Sequence, residues 1–283
     1  MVAPRVDIEA ISALIVEVSE RVIVPRFRAL ADGDVAEKGP GDLVTVADTE
    51  AEALITDALL RAFPDVPVIG EEAVAADPPL AEHLDELASY WLLDPLDGTA
   101  NFVAGDPGFG TMLALVHDGE PVAAWLWLPV RGLMITAELG SGAWADGRRL
   151  RTEGAAFWTT AESRAWVSVR FLPPEVRREV EANARAFESV SAGPGAAVAA
   201  YAGLVAGEVD AALQWRTHPW DHAPGALVLT EAGGAARRPD GTAYRPGDAR
   251  AGLVLAARAE QWIDARDALL RAQDHELRSR ERP

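Results

Sequence analysis

Apolar residues near the start of the chain fall at Ile8, Ile11, Leu14, Ile15, Val18 and Val22, with polar residues between them. Steps of three and four place these positions on one face of a helix, so the spacing predicts a long amphipathic helix. Residues 31–42 (ADGDVAEKGPGD) are rich in Gly, Asp and Pro and read as a loop. Leu43 to Val46 is short and β-prone, and Asp48 to Ala62 is helical again, which puts Asp48 at a strand-to-helix junction in an N-cap position. Val66 to Ile69 reads as a buried strand running into Gly70-Glu71-Glu72. Tyr90 to Leu93 is a second such strand, ending at Asp94-Pro95-Leu96-Asp97-Gly98-Thr99, and residues 75–87 form a loop or short helix between them.

From Gly108 to Trp144 the pattern is that of an antiparallel meander, with strands at 111–116, 122–128 and 133–137 and a turn at His117-Asp118-Gly119-Glu120. Strands and helices then alternate. Strands are predicted at 165–169, 187–190, 209–213 and 250–256, and helices at 174–184, 195–205, 220–231 and 259–271, with a frayed charged tail after Gln273. The alternation implies an α/β class. Residues 1–150 form an N-terminal half with the acidic motifs and the meander, and residues 151–283 an α/β half that completes one compact unit.

With 283 residues and 49% hydrophobic content, the chain can bury a substantial core. Its 26 Lys and Arg against 44 Asp and Glu give a net charge of -18, which repels polyanions and argues against nucleic acid as a partner. There is no cysteine, which excludes disulfides, a thiolate nucleophile and cysteine-ligated metals. Acids at Asp7, Glu9, Glu17 and Glu20 interrupt any leader-like pattern, and no run approaches the roughly 20 apolar residues of a membrane span. The expectation is a cytoplasmic protein without a membrane partner.

The run Asp94 to Thr99 changes the picture, because two carboxylates three apart around a Pro turn can converge on one hard cation. Gly98 allows close backbone approach, and Thr99 can start a helix beside an anion. An acidic turn with Gly is also a common surface feature. Asp48, Glu71, Glu72 and Asp221 stand at other junctions of the same kind, and together they suggest one shared site.

In these fragments, DLVTVAD (42–48), IGEE (69–72), DPLDGTANFVAG (94–105) and WDHAPGALVLTEAGG (220–234), the chain resembles the inositol monophosphatase-like family of metal-dependent phosphatases, in order and spacing over nearly its whole length. The resemblance implies an α-β-α-β-α layered sandwich of the sugar-phosphatase type. It implies that Glu71, Asp94 and the Leu96 carbonyl ligate one metal, that Asp94, Asp97 and Asp221 ligate a second, and that Glu72 holds an outer metal through water. Two or three Mg²⁺ ions are expected, with Mn²⁺ as a substitute, since every ligand is oxygen. Gly98 and Thr99 match phosphate contacts, Asp48 with Thr99 matches the pair that orients and deprotonates the attacking water, and Gln214 and Ala196 fall on the substrate side.

The activity so implied is hydrolysis of a small phosphorylated metabolite by metal-activated water, in a homodimer. Gln214 stands where relatives often carry a Glu, and Gly193-Pro194-Gly195-Ala196-Ala197 departs from the usual Gly-Ser-Ala-Ala wall. An inositol phosphate-like polyol or sugar phosphate, histidinol phosphate and a nucleoside 3′-phosphate all stay open, as does a non-catalytic regulatory role on the same scaffold. Lys38 lies in a Gly-rich stretch where relatives often carry a mobile loop lysine, reads equally as a solvated loop charge, and is assigned no role. His218 and His222, four apart around Pro219, read as packing or substrate-side groups rather than zinc ligands. Trp125, Trp127 and Trp144 read as cross-strand packing, or as a dimer contact.

Overall fold

The computed structural model describes residues 3–39, 41–152 and 159–270. It begins with helix α1 (Ile8–Val18), capped by the Asp7 side chain, which accepts from the Ala10 amide at 3.1 Å. A hairpin, β1 (Val35–Gly39) and β2 (Asp42–Thr45), leads into α2 (Val46–Ala62), and β3 (Val68–Gly70) into α3 (Glu71–Ala76). Then come β4 (Ser89–Asp97), α4 (Thr99–Ala104) and a meander of β5 (Gly110–His117), β6 (Glu120–Leu128), β7 (Leu133–Glu138), β8 (Gly142–Ala145) and β9 (Arg148–Leu150). The chain continues through β10 (Arg164–Val167), α5 (Pro174–Asn183), β11 (Ser189–Ser191), α6 (Ala197–Val205), β12 (Ala211–Gln214) and α7 (Pro219–Glu231). It closes with β13 (Ala235–Arg237), β14 (Leu253–Ala256) and α8 (Trp262–Leu269). The tail expected to fray after Gln273 lies outside the described residues.

Seven strands, β3 to β9, form one sheet in sequence order, antiparallel except for the β3–β4 pair. A second sheet has the order β11-β10-β12-β14-β13, parallel at β11-β10-β12 and antiparallel beyond. Because side chains alternate across a strand, β4 feeds two cores at once. Trp91 and Leu93 pack with Ile15 of α1 and Ile55 of α2, whereas Tyr90 and Leu92 pack with Val198 of α6 and Leu227 of α7. Helices α6 and α7 also cover Ala212 and Leu255 of the second sheet, whose far face packs Leu213 and Val254 against Val176 of α5 and Trp262 of α8. The layers therefore run α-β-α-β-α, as expected.

Several details differ from the sequence reading. The Gly-rich stretch contains β1, paired with β2 through Val35–Thr45 and Ala36–Val44, where a loop was expected. Asp48 is the third residue of α2 rather than its N-cap. Thr45 is the cap, and the two form a reciprocal capping box in which Asp48 Oδ2 accepts from the Thr45 amide at 2.8 Å. Of the three meander tryptophans, Trp125 and Trp127 are buried, the former bonding the Ile8 carbonyl through its indole N–H, and only Trp144 is exposed. No described helix is long and apolar enough to cross a membrane.

Candidate active site

The acidic run lies at the end of β4, where the strand is irregular. Asp94 pairs with Met112 and Asp97 with Gly110, so three steps on β4 match two on β5. Residues three apart in a regular strand point to opposite faces. The extra residue of this bulge restores the phase and turns Asp94 and Asp97 toward the same cleft. The Thr111 hydroxyl donates to the Pro95 carbonyl at 2.9 Å and ties the bulge to β5. Gly110 is required beneath it, because an added Cβ would lie 2.0 Å from the Trp127 carbonyl oxygen.

After the bulge, Gly98 takes φ +84°, a left-handed conformation that favours glycine, and its added Cβ would meet the Ala196 Cβ at 2.7 Å. The Gly98–Thr99 turn is thereby pressed against the start of α6. Asp97 completes that junction, its Oδ2 accepting from the Val198 amide at 2.6 Å. The Thr99 hydroxyl lies 2.9 Å from Asp48 Oδ1 and 3.1 Å from the Leu96 carbonyl. Asp221 enters from the first turn of α7, and Glu71 and Glu72 from the first turn of α3. One cleft of about 400 Å³ is lined by Glu71, Asp94, Leu96, Asp97, Gly98, Thr99 and Asp221. Gln214 and Ala196 line a smaller adjoining cavity.

The electrostatics of the cleft are those of crowded, desolvated carboxylates. Burial, and then Glu71, Asp97 and Asp221, push the Asp94 carboxyl well above the usual range. Asp221 is raised by burial and by Glu71 and Asp97. Burial pushes Asp97 up to about 7 although the α6 amides oppose it. Burial likewise pushes Glu72 up to about 7 against the pull of Lys38, and raises Asp48 against its bonds to Thr45 and Thr99. Such a cluster requires shared protons or cations.

Lys38 supplies one cation, its ammonium bonding Glu71 Oε1 at 2.7 Å and Glu72 Oε1 at 2.9 Å. This ammonium offsets part of the carboxylate charge, and the surrounding acidic donors are all oxygen, the set that suits Mg²⁺, Mn²⁺ or Ca²⁺. Among the described residues no three acidic or histidine side chains are grouped tightly enough to hold an ion as they stand. Each of these acids has a partner within the chain. Lys38 draws Glu71 and Glu72 together, an amide holds one oxygen of Asp97, and the Leu96 amide holds Asp94 Oδ1 at 3.0 Å. Donor chemistry and burial fit a divalent cation.

Over residues 5–275 the chain matches the inositol monophosphatase family. It belongs to that family. A fructose-1,6-bisphosphatase/inositol-1-monophosphatase from Thermotoga maritima is 36% identical over 203 residues, 71% of this chain and 74% of the relative. The Nus factor SuhB of Pseudomonas aeruginosa is 35% identical over 215 residues, 74% and 78% of the two chains. The solved structure of the extragenic suppressor protein suhB from Bartonella henselae matches with a TM-score of 0.77 at 27% identity, covering 92% of this chain and 98% of its own.

Against this inositol monophosphatase framework, sequence reasoning overlooked three groups. Glu52, buried one helical turn after Asp48, accepts from the Glu72 amide at 2.9 Å and the Ala73 amide at 2.8 Å, so it holds the start of α3. A polar residue at i+4 from Asp48 was the available signal. Asn101 donates to the carbonyls of Gly108 and Pro194 at 2.7 and 2.8 Å and so fastens α4 to the loop before α6. Lys38 was noticed but given no role, because nothing local to a Gly-rich stretch shows that it reaches residues 33 and 34 positions away. His222 is a packing group. Its Nε2–H donates to the Arg216 carbonyl and its Nδ1 accepts from the Tyr201 hydroxyl, both at 3.0 Å, while His218 stacks on Trp220 at 5.1 Å.

Proposed function

We propose that this chain hydrolyses a small phosphate monoester, an inositol phosphate-like or other polyol or sugar phosphate, with Mg²⁺ as cofactor. The observation that carries the reading is the convergence of Glu71, Asp94, Asp97 and Asp221 on one cleft, with Asp94 and Asp97 buried in its wall. In this reading Glu71, Asp94 and the Leu96 carbonyl hold one cation, Asp94, Asp97 and Asp221 a second, and Glu72 an outer one through water. Metal dependence is general in the family. Bound divalent ions would neutralise phosphoryl charge, make a water more acidic and stabilise the departing oxygen.

The chain's own groups do the positioning. Gly98 and Thr99 present backbone amides to the phosphate at a turn that α6 holds rigid. The Thr99 hydroxyl donates to Asp48, leaving its oxygen free to accept a proton from the attacking water, and Asp48 is held by Thr45. Gln214 and Ala196 bound the space for the alcohol. Lys38 holds Glu71 and Glu72 in the cleft and yields when a cation binds. In the same reading the chain is a cytoplasmic homodimer, with exposed Trp144 available for the contact.

The test is phosphate release from inositol, sugar, histidinol and nucleoside 3′-phosphates with Mg²⁺, after chelation, and after Mg²⁺ is restored. Release that depends on metal supports the reading. No release from any member would leave the second reading, a non-catalytic regulatory role, which the likeness to a Nus factor favours. The complete set of acids and the Asp48–Thr99 pair speak for catalysis.

A further inference from the structure

The larger cleft and the adjoining cavity of about 150 Å³ share Asp97, Phe171, Gly195, Arg216 and Asp221 as walls. If phosphate sits against Gly98 and Thr99, as the hydrolase reading requires, the smaller cavity receives the alcohol part of the ester. Among the described residues its other polar groups are neutral, chiefly the Gln214 amide and the Ser168 hydroxyl, its carboxylates are those of Asp97 and Asp221, and its one guanidinium is that of Arg216.

Arg216 is held in an unusual way. Its carbonyl accepts from His222, and the next residue, Thr217, accepts through its hydroxyl from the buried Arg238 at 3.0 Å, so the backbone is fixed. The guanidinium lies 4.5 Å over the Phe171 ring, a platform that restricts its rotamers. Among the described residues it makes no hydrogen bond and no ion pair, although the chain carries 44 acids against 26 Lys and Arg. Arg216 is exposed, so water satisfies its rigid fork of five N–H donors at the junction of the two cavities, and Asp97 and Asp221 are the carboxylates whose charge it feels there. Arg170 shares the Phe171 ring at 5.1 Å but donates to the Gly41 carbonyl, toward the β1–β2 turn.

We propose that the substrate bears a second anionic group on its alcohol, a carboxylate or another phosphate, and that Arg216 binds it and sets substrate choice. Among the described residues a cationic alcohol finds no carboxylate here beyond the two that face the metal positions, and a neutral polyol offers the hydrated guanidinium no charged partner, whereas an anion does. This rests on the hydrolase reading and narrows its substrate class.

The test compares matched esters with Mg²⁺: glycerol 2-phosphate with 2-phosphoglycerate for a carboxylate, and fructose 1-phosphate with fructose 1,6-bisphosphate for a phosphate. In the unaltered protein at least one charged member should exceed its neutral partner in kcat/KM by about tenfold or more, mainly through KM, as a charge-assisted bond would give. Arg216→Gln should bring that ratio to about one, and Arg216→Lys, which keeps the charge without the fork, should restore part of it. Circular dichroism of each variant checks the fold. Equal turnover of charged and neutral members, or a preference that survives Arg216→Gln, overturns the proposal and leaves the hydrolase reading standing. No phosphate release from any of the four esters, while a member of the inositol, histidinol or nucleoside panel is hydrolysed with Mg²⁺, overturns the proposal alone, and no release from the four esters or from that panel overturns both.

Discussion

A carboxylate with 2% of its surface exposed, sharing a cleft with three others, persists only when a proton or a cation is shared among them, and Asp94 is that group. Asp94→Asn removes one buried charge without changing shape. It should raise the melting temperature of the metal-free protein while lowering phosphate release by at least about a hundredfold. Asp97→Asn and Asp221→Asn should lose activity similarly, and near-normal rates in Asp97→Asn, measured at saturating Mg²⁺, would refute the site. Thr99 separates chemistry from metal binding. Its hydroxyl belongs to no proposed ligand set, so Thr99→Ala should slow turnover by about a hundredfold or more while the Mg²⁺-induced rise in melting temperature is kept. Loss of that rise would make Thr99 a structural support of the metal position instead. Asp48 has a double duty, since one of its oxygens faces Thr99 and the other closes the α2 capping box. Asp48→Ala should therefore cost about 1 kcal/mol of stability in addition to activity.

At the scale of elements, short helices and one bulge do the positioning, and Glu52 is where two elements are joined. Its carboxylate caps α3 from α2, and an added Cβ at Gly70 would lie 2.3 Å from it. Glu52→Ala leaves two amides without acceptors and should lower the melting temperature by several degrees, while Mg²⁺ titration followed by calorimetry weakens because Glu71 and Glu72 lose their anchor. Glu52→Gln, which still offers one acceptor, should fall between. If Glu52→Ala binds Mg²⁺ as tightly as the unaltered protein, α3 is positioned by something else. These joints explain what the sequence could and could not say. Periodicity places α1, α2 and the meander because each buries a face, and the ordered acidic motifs place the acids at element ends. It cannot show that β4 continues to Asp97, because Pro95 and the acids read as a turn until the pairing with β5 supplies partners. Nor can it place β1, whose Glu37 and Lys38 lack an apolar alternation and whose strand exists through its pairing with β2. The shift of the α2 cap from Asp48 to Thr45 has the same origin: both residues are good caps, and the start of the helix decides which is used.

For the whole molecule, the layered fold gathers acids from α2, α3, β4 and α7 into one low-dielectric place, so its stability should depend jointly on pH and metal. Glu72 and Asp97 titrate near 7 in the folded chain, above their unfolded values. A group raised in this way contributes stability fully below its unfolded pKa and loses it as pH rises through the folded pKa. His222 acts in the opposite direction. Burial lowers its imidazole to about 4, so it costs stability as pH falls from its unfolded value toward 4. The two effects oppose each other in mild acid, whereas from about pH 6.5 to 8 the acids outweigh the fading imidazole, and the chelated protein should melt at progressively lower temperature there. A divalent cation replaces the lost protons. At about one hundred times its Kd, Mg²⁺ should add about 2.7 kcal/mol, a rise of about 5 °C, and the gain should grow with pH across this window. Thermal melts at several pH values in chelator and in Mg²⁺ measure both slopes. A melting temperature flat in pH under chelation and unmoved by Mg²⁺ would mean that the acids of α3, β4 and α7 do not form one cation site, and the hydrolase reading would lose its physical basis.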